Sequence, residues 1–113
     1  MANITVRFRE VDRDKFEDVV AGRKTIETRA ATEKYQNIES GDTLTAICGK
    51  DRIEKVISAV KFYKTPDALI DDLGYTEILP TAVSREEAIE IYYTFPGYRE
   101  KIKENGLIAI YLS

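Results

Sequence analysis

Histidine is absent from the 113 residues, and cysteine occurs once, at Cys48. Without histidine, no Ser-His-Asp or Cys-His catalytic arrangement can be assembled. One cysteine cannot supply a structural Cys/His zinc site. Nor can it form an intrachain disulfide, which suits a reducing compartment. If the chain is an enzyme, proton transfer falls to Lys, Glu, Asp, Tyr or an activated water. No apolar run approaches the length that spans a membrane. Residues 1–10 carry Arg7, Arg9 and Glu10 where a signal peptide needs an apolar stretch. A cytoplasmic location is therefore expected. A basic excess is also lacking: the net charge is −3, which does not suit a binder of duplex DNA.

What is present fits one ordinary globular domain over residues 1–113, with 43% hydrophobic and 33% charged residues. A chain of this length can bury a core without disulfide or metal staples. The charge is uneven. Residues 65–95 hold Arg85 as their only cation against seven acids, whereas the first 64 residues carry a small basic surplus. A basic site is expected in the first half, and the acids between Asp67 and Glu90 should form a solvated face.

Residues 3–9 alternate, with Ile4, Val6 and Phe8 on one face and Thr5, Arg7 and Arg9 on the other, as in a half-buried strand. Asp12 reads as an N-cap, with Val11 and Phe16 spaced as a hydrophobic staple. Phe16, Val19 and Val20 make a short helical stripe that Gly22 ends. Lys24 to Arg29 reads as an extended segment with Ile26 inward, and a polar stretch with Tyr35 and Ile38 follows. Gly41-Asp42 is a turn signal. Residues 43–48 and 52–63 read as strands joined across Gly49-Lys50-Asp51. Thr65-Pro66 opens a helix that stops at Gly74. Ser84 and Glu87 form a capping box before a helix that faces inward through Ala88, Ile89 and Tyr92. Pro96-Gly97 interrupts it, and Tyr98 to Glu104 forms a further short helix. Leu107 to Leu112, nearly all apolar, reads as a strand buried on both faces. Short strands with helices between them suggest an α+β domain on a small barrel. Cys48 is expected in the core.

The segment Gly22-Arg23-Lys24-Thr25-Ile26-Glu27-Thr28-Arg29 resembles the G-x-K-x-x-E-x-R signature of the ASCH domain. The resemblance extends over nearly the whole chain. It takes in Gly41-Asp42, Ile78-Leu79-Pro80, the Ser84-Arg85-Glu86-Glu87-Ala88 helix start, the aromatic stretch from Tyr92 to Tyr98, and Gly106 before the last strand. ASCH domains belong to the PUA-like superfamily of small β-barrels that bind RNA or modified bases. The resemblance implies a PUA-like barrel with inserted and flanking helices, RNA or a modified nucleoside as partner, and no cofactor or metal.

On an extended segment Glu27 and Arg29 share one face, and Ile26 and Thr28 share the other. Lys24 has the opposite parity to Glu27 and must reach a common site from the helix–strand junction. Two cations and one carboxylate at a barrel mouth would suit a nucleobase edge next to a phosphate. For an arbitrary Glu/Arg pair the simpler reading is a surface ion pair worth ~0–1 kcal/mol. The resemblance favours Lys24, Glu27 and Arg29 as ligand-binding residues, with Arg23 and Thr25 beside them at variable positions of the signature. Arg7 and Arg9 read singly as solvated cations. Tyr92 and Phe95 read as packing residues, while Tyr93 or Tyr98 could stack on a base.

Some small bacterial ASCH proteins are amidohydrolases that deacetylate N4-acetylcytidine with a Lys, a Thr and a Glu. Lys24 matches that lysine. The family's threonine falls at Glu27, a departure from that pattern; Thr25 and Thr28 are neighbours, but Thr28, one residue away, points to the other face of a strand. Glu77 is the candidate for the second carboxylate. Other relatives are described as ribonucleases, for which Lys24 and Glu27 could serve as the catalytic acid/base pair. The primary expectation is a cleft that binds RNA or a modified nucleoside. The alternative is a metal-independent hydrolase of either kind. A protein-interaction adaptor is a third reading, which a chain without tail or linker does not favour.

Overall fold

A computed structural model describes residues 2–79 and 81–113. Met1, and Pro80 of the Ile78-Leu79-Pro80 run, lie outside the described residues. The chain is a mixed α+β fold with one five-stranded sheet. The strands are β1 (Asn3–Phe8), β2 (Ile26–Ala30), β3 (Thr43–Cys48), β4 (Asp51–Tyr63) and β5 (Leu107–Leu112), hydrogen-bonded in the order β1-β3-β4-β5-β2. The two terminal strands thus belong to one sheet. The helices are α1 (Arg13–Val20), α2 (Pro66–Leu73), α3 (Tyr75–Ile78), α4 (Arg85–Thr94) and α5 (Tyr98–Asn105). Among the described residues no helix is long and apolar enough to cross a membrane.

The chain divides into two compact units, and the division falls within β2, β4 and β5. The first comprises residues 1–27, 37–60 and 110–113. Here β1 runs parallel to β3, with Ile4 opposite Leu44 and Val6 opposite Ala46, and β3 runs antiparallel to β4. A two-residue turn, Gly49-Lys50, joins β3 to β4, so Asp51 already pairs with Cys48. Helix α1 packs on β1 and β3 and buries Phe16 and Val19 fully, each worth roughly 1.5–3 kcal/mol of burial. The Phe16 ring meets Phe8 edge-on at 5.9 Å.

The start of α1 departs from the expected staple. Residues Glu10–Asp12 form a 3₁₀ turn, and Val11 is 78% exposed. Asp12 stands at the N-cap, but its carboxylate accepts from Arg9 Nε at 2.8 Å and Lys15 Nζ at 3.1 Å rather than from the helix backbone. Two side-chain cations outcompete the backbone N–H for that carboxylate. Val20, the third member of the expected stripe, is 40% exposed. A short helix over a narrow strand pair covers only the Phe16/Val19 line.

The second unit comprises residues 28–36 and 61–109. Thr65 caps α2 by accepting from the Ala68 N–H at 3.2 Å, with Pro66 in the first turn. Ser84 caps α4 through the Glu87 N–H at 3.1 Å, but the Glu87 carboxylate accepts from Val83 N–H rather than from Ser84. The box therefore closes one residue earlier than expected. Helix α4 packs against α2 and α5, burying Ala88 and Tyr92, while Ile102 is the buried residue of α5. Gly106 ends α5 at φ 74° and ψ −155°, a conformation that is essentially glycine-only. A side chain there would also run into the Tyr63 carbonyl.

Candidate functional site

Lys24 precedes β2, and Glu27 lies one residue into it. The chain leaves α1 through Gly22 at φ +77°, and both the Arg23 and Lys24 N–H groups return to the Asp18 carbonyl. This tight exit turns Lys24 inward. Lys24 is 5% exposed and Glu27 3%, and Lys24 Nζ stands 3.7 Å from Glu27 Oε2. That separation is an ion pair rather than a short direct hydrogen bond. Burying two opposite charges together costs several kcal/mol of desolvation per ion. An exposed pair would avoid that cost, so this pair is not surface decoration.

The neighbours of Lys24 in the signature are placed differently. Arg23 is exposed and bonds Asp18 Oδ1 through Nε at 2.9 Å. Thr25 is exposed, and its carbonyl accepts from the Leu112 N–H at 2.7 Å. Its contribution is to the sheet backbone. Neither side chain joins the buried pair. Ile26 is buried at 8% exposure, with the parity opposite to Glu27, as expected. Arg7 is exposed, and Arg9 is engaged with Asp12.

Arg29 and Thr28 belong to the second unit. Arg29 is half-buried and has the strand parity of Glu27. Thr28 is buried, and its Oγ1 shares a 2.5 Å hydrogen bond with the Tyr92 hydroxyl, itself on a fully buried ring. Tyr92 was expected as packing alone. The only sequence signal for its bond was a threonine facing inward on an otherwise apolar side of β2. From Tyr92 an edge-on series continues to Phe95 (6.2 Å) and Tyr98 (5.1 Å). Phe95 and Tyr98 are half-buried, and Glu77 is exposed on α3.

Two further buried polar groups are structural. Asp42 is 5% exposed and accepts from the Glu39 N–H at 3.0 Å and the Ala2 N–H at 2.9 Å. These two backbone donors hold its carboxyl below the usual carboxylate range. Cys48 is fully buried, and that burial pushes its thiol up, which removes it as a nucleophile near neutral pH. Among the described residues no three His, Cys, Asp or Glu side chains gather as metal ligands.

No family model matches the chain, and no curated protein matches it. Two solved structures resemble it along nearly its full length. One is the crystal structure of the hypothetical protein PH0355, with a TM-score of 0.82 and 25% identity, covering 98% of this chain and 97% of that one. The other is the solution NMR structure of protein PF0455 from Pyrococcus furiosus, with a TM-score of 0.73 and 26% identity, covering 99% and 94%. Neither name carries an activity.

Proposed function

We propose that this chain is an ASCH-type domain with a PUA-like barrel, and that it binds RNA or a modified nucleoside in the cytoplasm through the segment from Gly22 to Arg29. The observation that carries the reading is the buried Lys24–Glu27 pair, 3.7 Å apart. A buried ion pair adds little stability over apolar residues of the same volume. Its presence at this position is accounted for if the two charges face a polar ligand. Lys24 supplies three donors and Glu27 is an acceptor. Together they match a base edge or an acyl carbonyl that presents both kinds of group. Arg29, further along β2, adds a planar cation suited to phosphate.

A second reading draws on the same contact. An amine and a carboxylate this close can both reach one carbonyl of an N4-acylated cytidine. Glu27 would take a proton from water as it attacks, Lys24 would face the developing oxyanion, and Glu27 would return the proton to N4 as the acyl C–N4 bond breaks, releasing cytidine and the carboxylic acid. A ribonuclease would use the two groups as acid and base.

Titration of the protein with a panel of nucleosides that includes N4-acetylcytidine, with product analysis of each mixture, tests the proposal. The reading expects saturable binding of at least one member, abolished by Lys24→Ala. If Glu27 activates water, Glu27→Gln lowers turnover by roughly 10²–10⁴-fold while binding survives. If Glu27 only accepts a hydrogen bond, affinity weakens by about 1–3 kcal/mol with no turnover to lose. Binding or hydrolysis that persists unchanged in both variants would exclude the site.

A further inference from the structure

Within the second unit, the bend between α4 and α5 gathers aromatic rings and cations in an arrangement that the buried pair does not explain. Gly97, left-handed at φ 73°, reverses the chain there. The Arg99 guanidinium carbon lies 4.6 Å from the Tyr93 ring centre, and Lys101 Nζ lies 5.9 Å from that of Tyr98. Tyr93 and Tyr98 are half-buried, while Arg99 and Lys101 are exposed. Among the described residues neither Arg99 nor Lys101 pairs with a carboxylate. By contrast Arg9, Arg13, Arg23 and Arg85 each do. Other cations among the described residues also lack a carboxylate partner; what distinguishes this bend is that two exposed cations lie over two part-exposed tyrosine rings within nine residues.

We propose that this bend is a second nucleic-acid contact: a stacking and phosphate-binding surface for a single-stranded RNA segment, formed by Tyr93, Tyr98, Arg99 and Lys101. Half-exposed rings and guanidinium planes are the surfaces on which unpaired bases stack. Cations not neutralised by carboxylates remain available to the phosphates. The series is anchored, because Tyr98 packs on Phe95, Phe95 on Tyr92, and Tyr92 bonds Thr28. That linkage gives the platform a fixed position on a buried strand. The inference rests on the RNA reading above and deepens it, since a free nucleoside would need the signature residues alone.

Fluorescence anisotropy with a labelled single-stranded oligouridine hexanucleotide, run beside the nucleoside panel, tests it. The hexanucleotide should bind more tightly than any free nucleoside. Tyr98→Leu should weaken it by roughly 5- to 150-fold, the range for losing one base–aromatic stack, while Arg99→Gln and Lys101→Gln leave nucleoside affinity unchanged. Arg99→Gln and Lys101→Gln sit on exposed side chains and keep the test open should Tyr98→Leu not fold. Each should lower the slope of log affinity against log salt by about 0.7. Nucleoside binding that depends on Lys24, with hexanucleotide affinity and salt slope equal in wild type and all three variants, would overturn this inference and leave the first reading standing. Absence of wild-type binding to every nucleoside and to the hexanucleotide would overturn both.

Discussion

Lys24→Met removes an ammonium from beside a buried carboxylate while keeping most of the side-chain stem. The two side chains are 5% and 4% exposed, with charged atoms 3.7 Å apart. At that separation the attraction is about 4 kcal/mol for an effective dielectric of ~20, of the same order as the desolvation it offsets. Removing one partner should therefore cost about 3–5 kcal/mol, a large part of the roughly 5–15 kcal/mol that holds a domain folded. Glu27→Gln should cost a similar amount, because it leaves the ammonium buried beside a neutral amide. The double variant Lys24→Met/Glu27→Gln has no buried charge left at the pair and should be more stable than the sum of the singles by at least about 1 kcal/mol. Urea unfolding at neutral pH, compared at constant m value, measures all three. A Lys24→Met variant that loses less than about 1 kcal/mol, or strictly additive singles, would show that the charges do not act as a buried pair.

Other parts of the fold make separate predictions. Asp42→Asn should lower stability at neutral pH, because the carboxylate accepts from the Glu39 and Ala2 N–H groups. Its folded-state value is depressed, so the contribution is complete above the ordinary range near ~4 and is lost as pH falls through the folded value. Thermal melts should show wild type and variant converging in acid. Gly106→Ala should destabilise by roughly 1–3 kcal/mol from backbone conformation alone, with the Tyr63 carbonyl adding to it; a melting temperature equal to wild type would contradict the geometry. Tyr92→Phe should cost about 1–3 kcal/mol by leaving the buried Thr28 hydroxyl without its partner. Adding Thr28→Val to Tyr92→Phe should recover part of the loss in denaturant titrations.

Much of the fold was legible because its signals are local. Alternation located β1, the Gly49-Lys50-Asp51 signal located the β3–β4 hairpin to within one residue, and Thr65 and Ser84 marked the starts of α2 and α4. Helix α3 carries no periodic signal in its four residues and was not foreseen. The parallel pairing of β1 with β3 depends on strands about forty residues apart, which no local pattern encodes. In β4 the apolar residues Val56 and Phe62 are about half exposed, so apolarity overstated burial there. The site was partly legible. Parity set Glu27 opposite Ile26, and the helix exit at Gly22 implied that Lys24 arrives from the junction. Near-complete burial of both charges could not be read from residue types, because Lys and Glu are seldom buried. Arg23 and Thr25 shared the segment, but the Asp18 carboxylate and the edge of β5 engage them instead.

The central claim is that the Lys24–Glu27 pair faces a ligand. Amide chemical-shift mapping of the ¹⁵N-labelled protein during titration with the nucleoside panel and the oligouridine hexanucleotide tests it most directly. The account predicts saturable shifts over residues 24–29 with at least one nucleoside, absent in Lys24→Ala, and added shifts over residues 93–101 with the hexanucleotide alone. Saturable shifts that leave residues 24–29 unmoved, or that survive in Lys24→Ala, would contradict it.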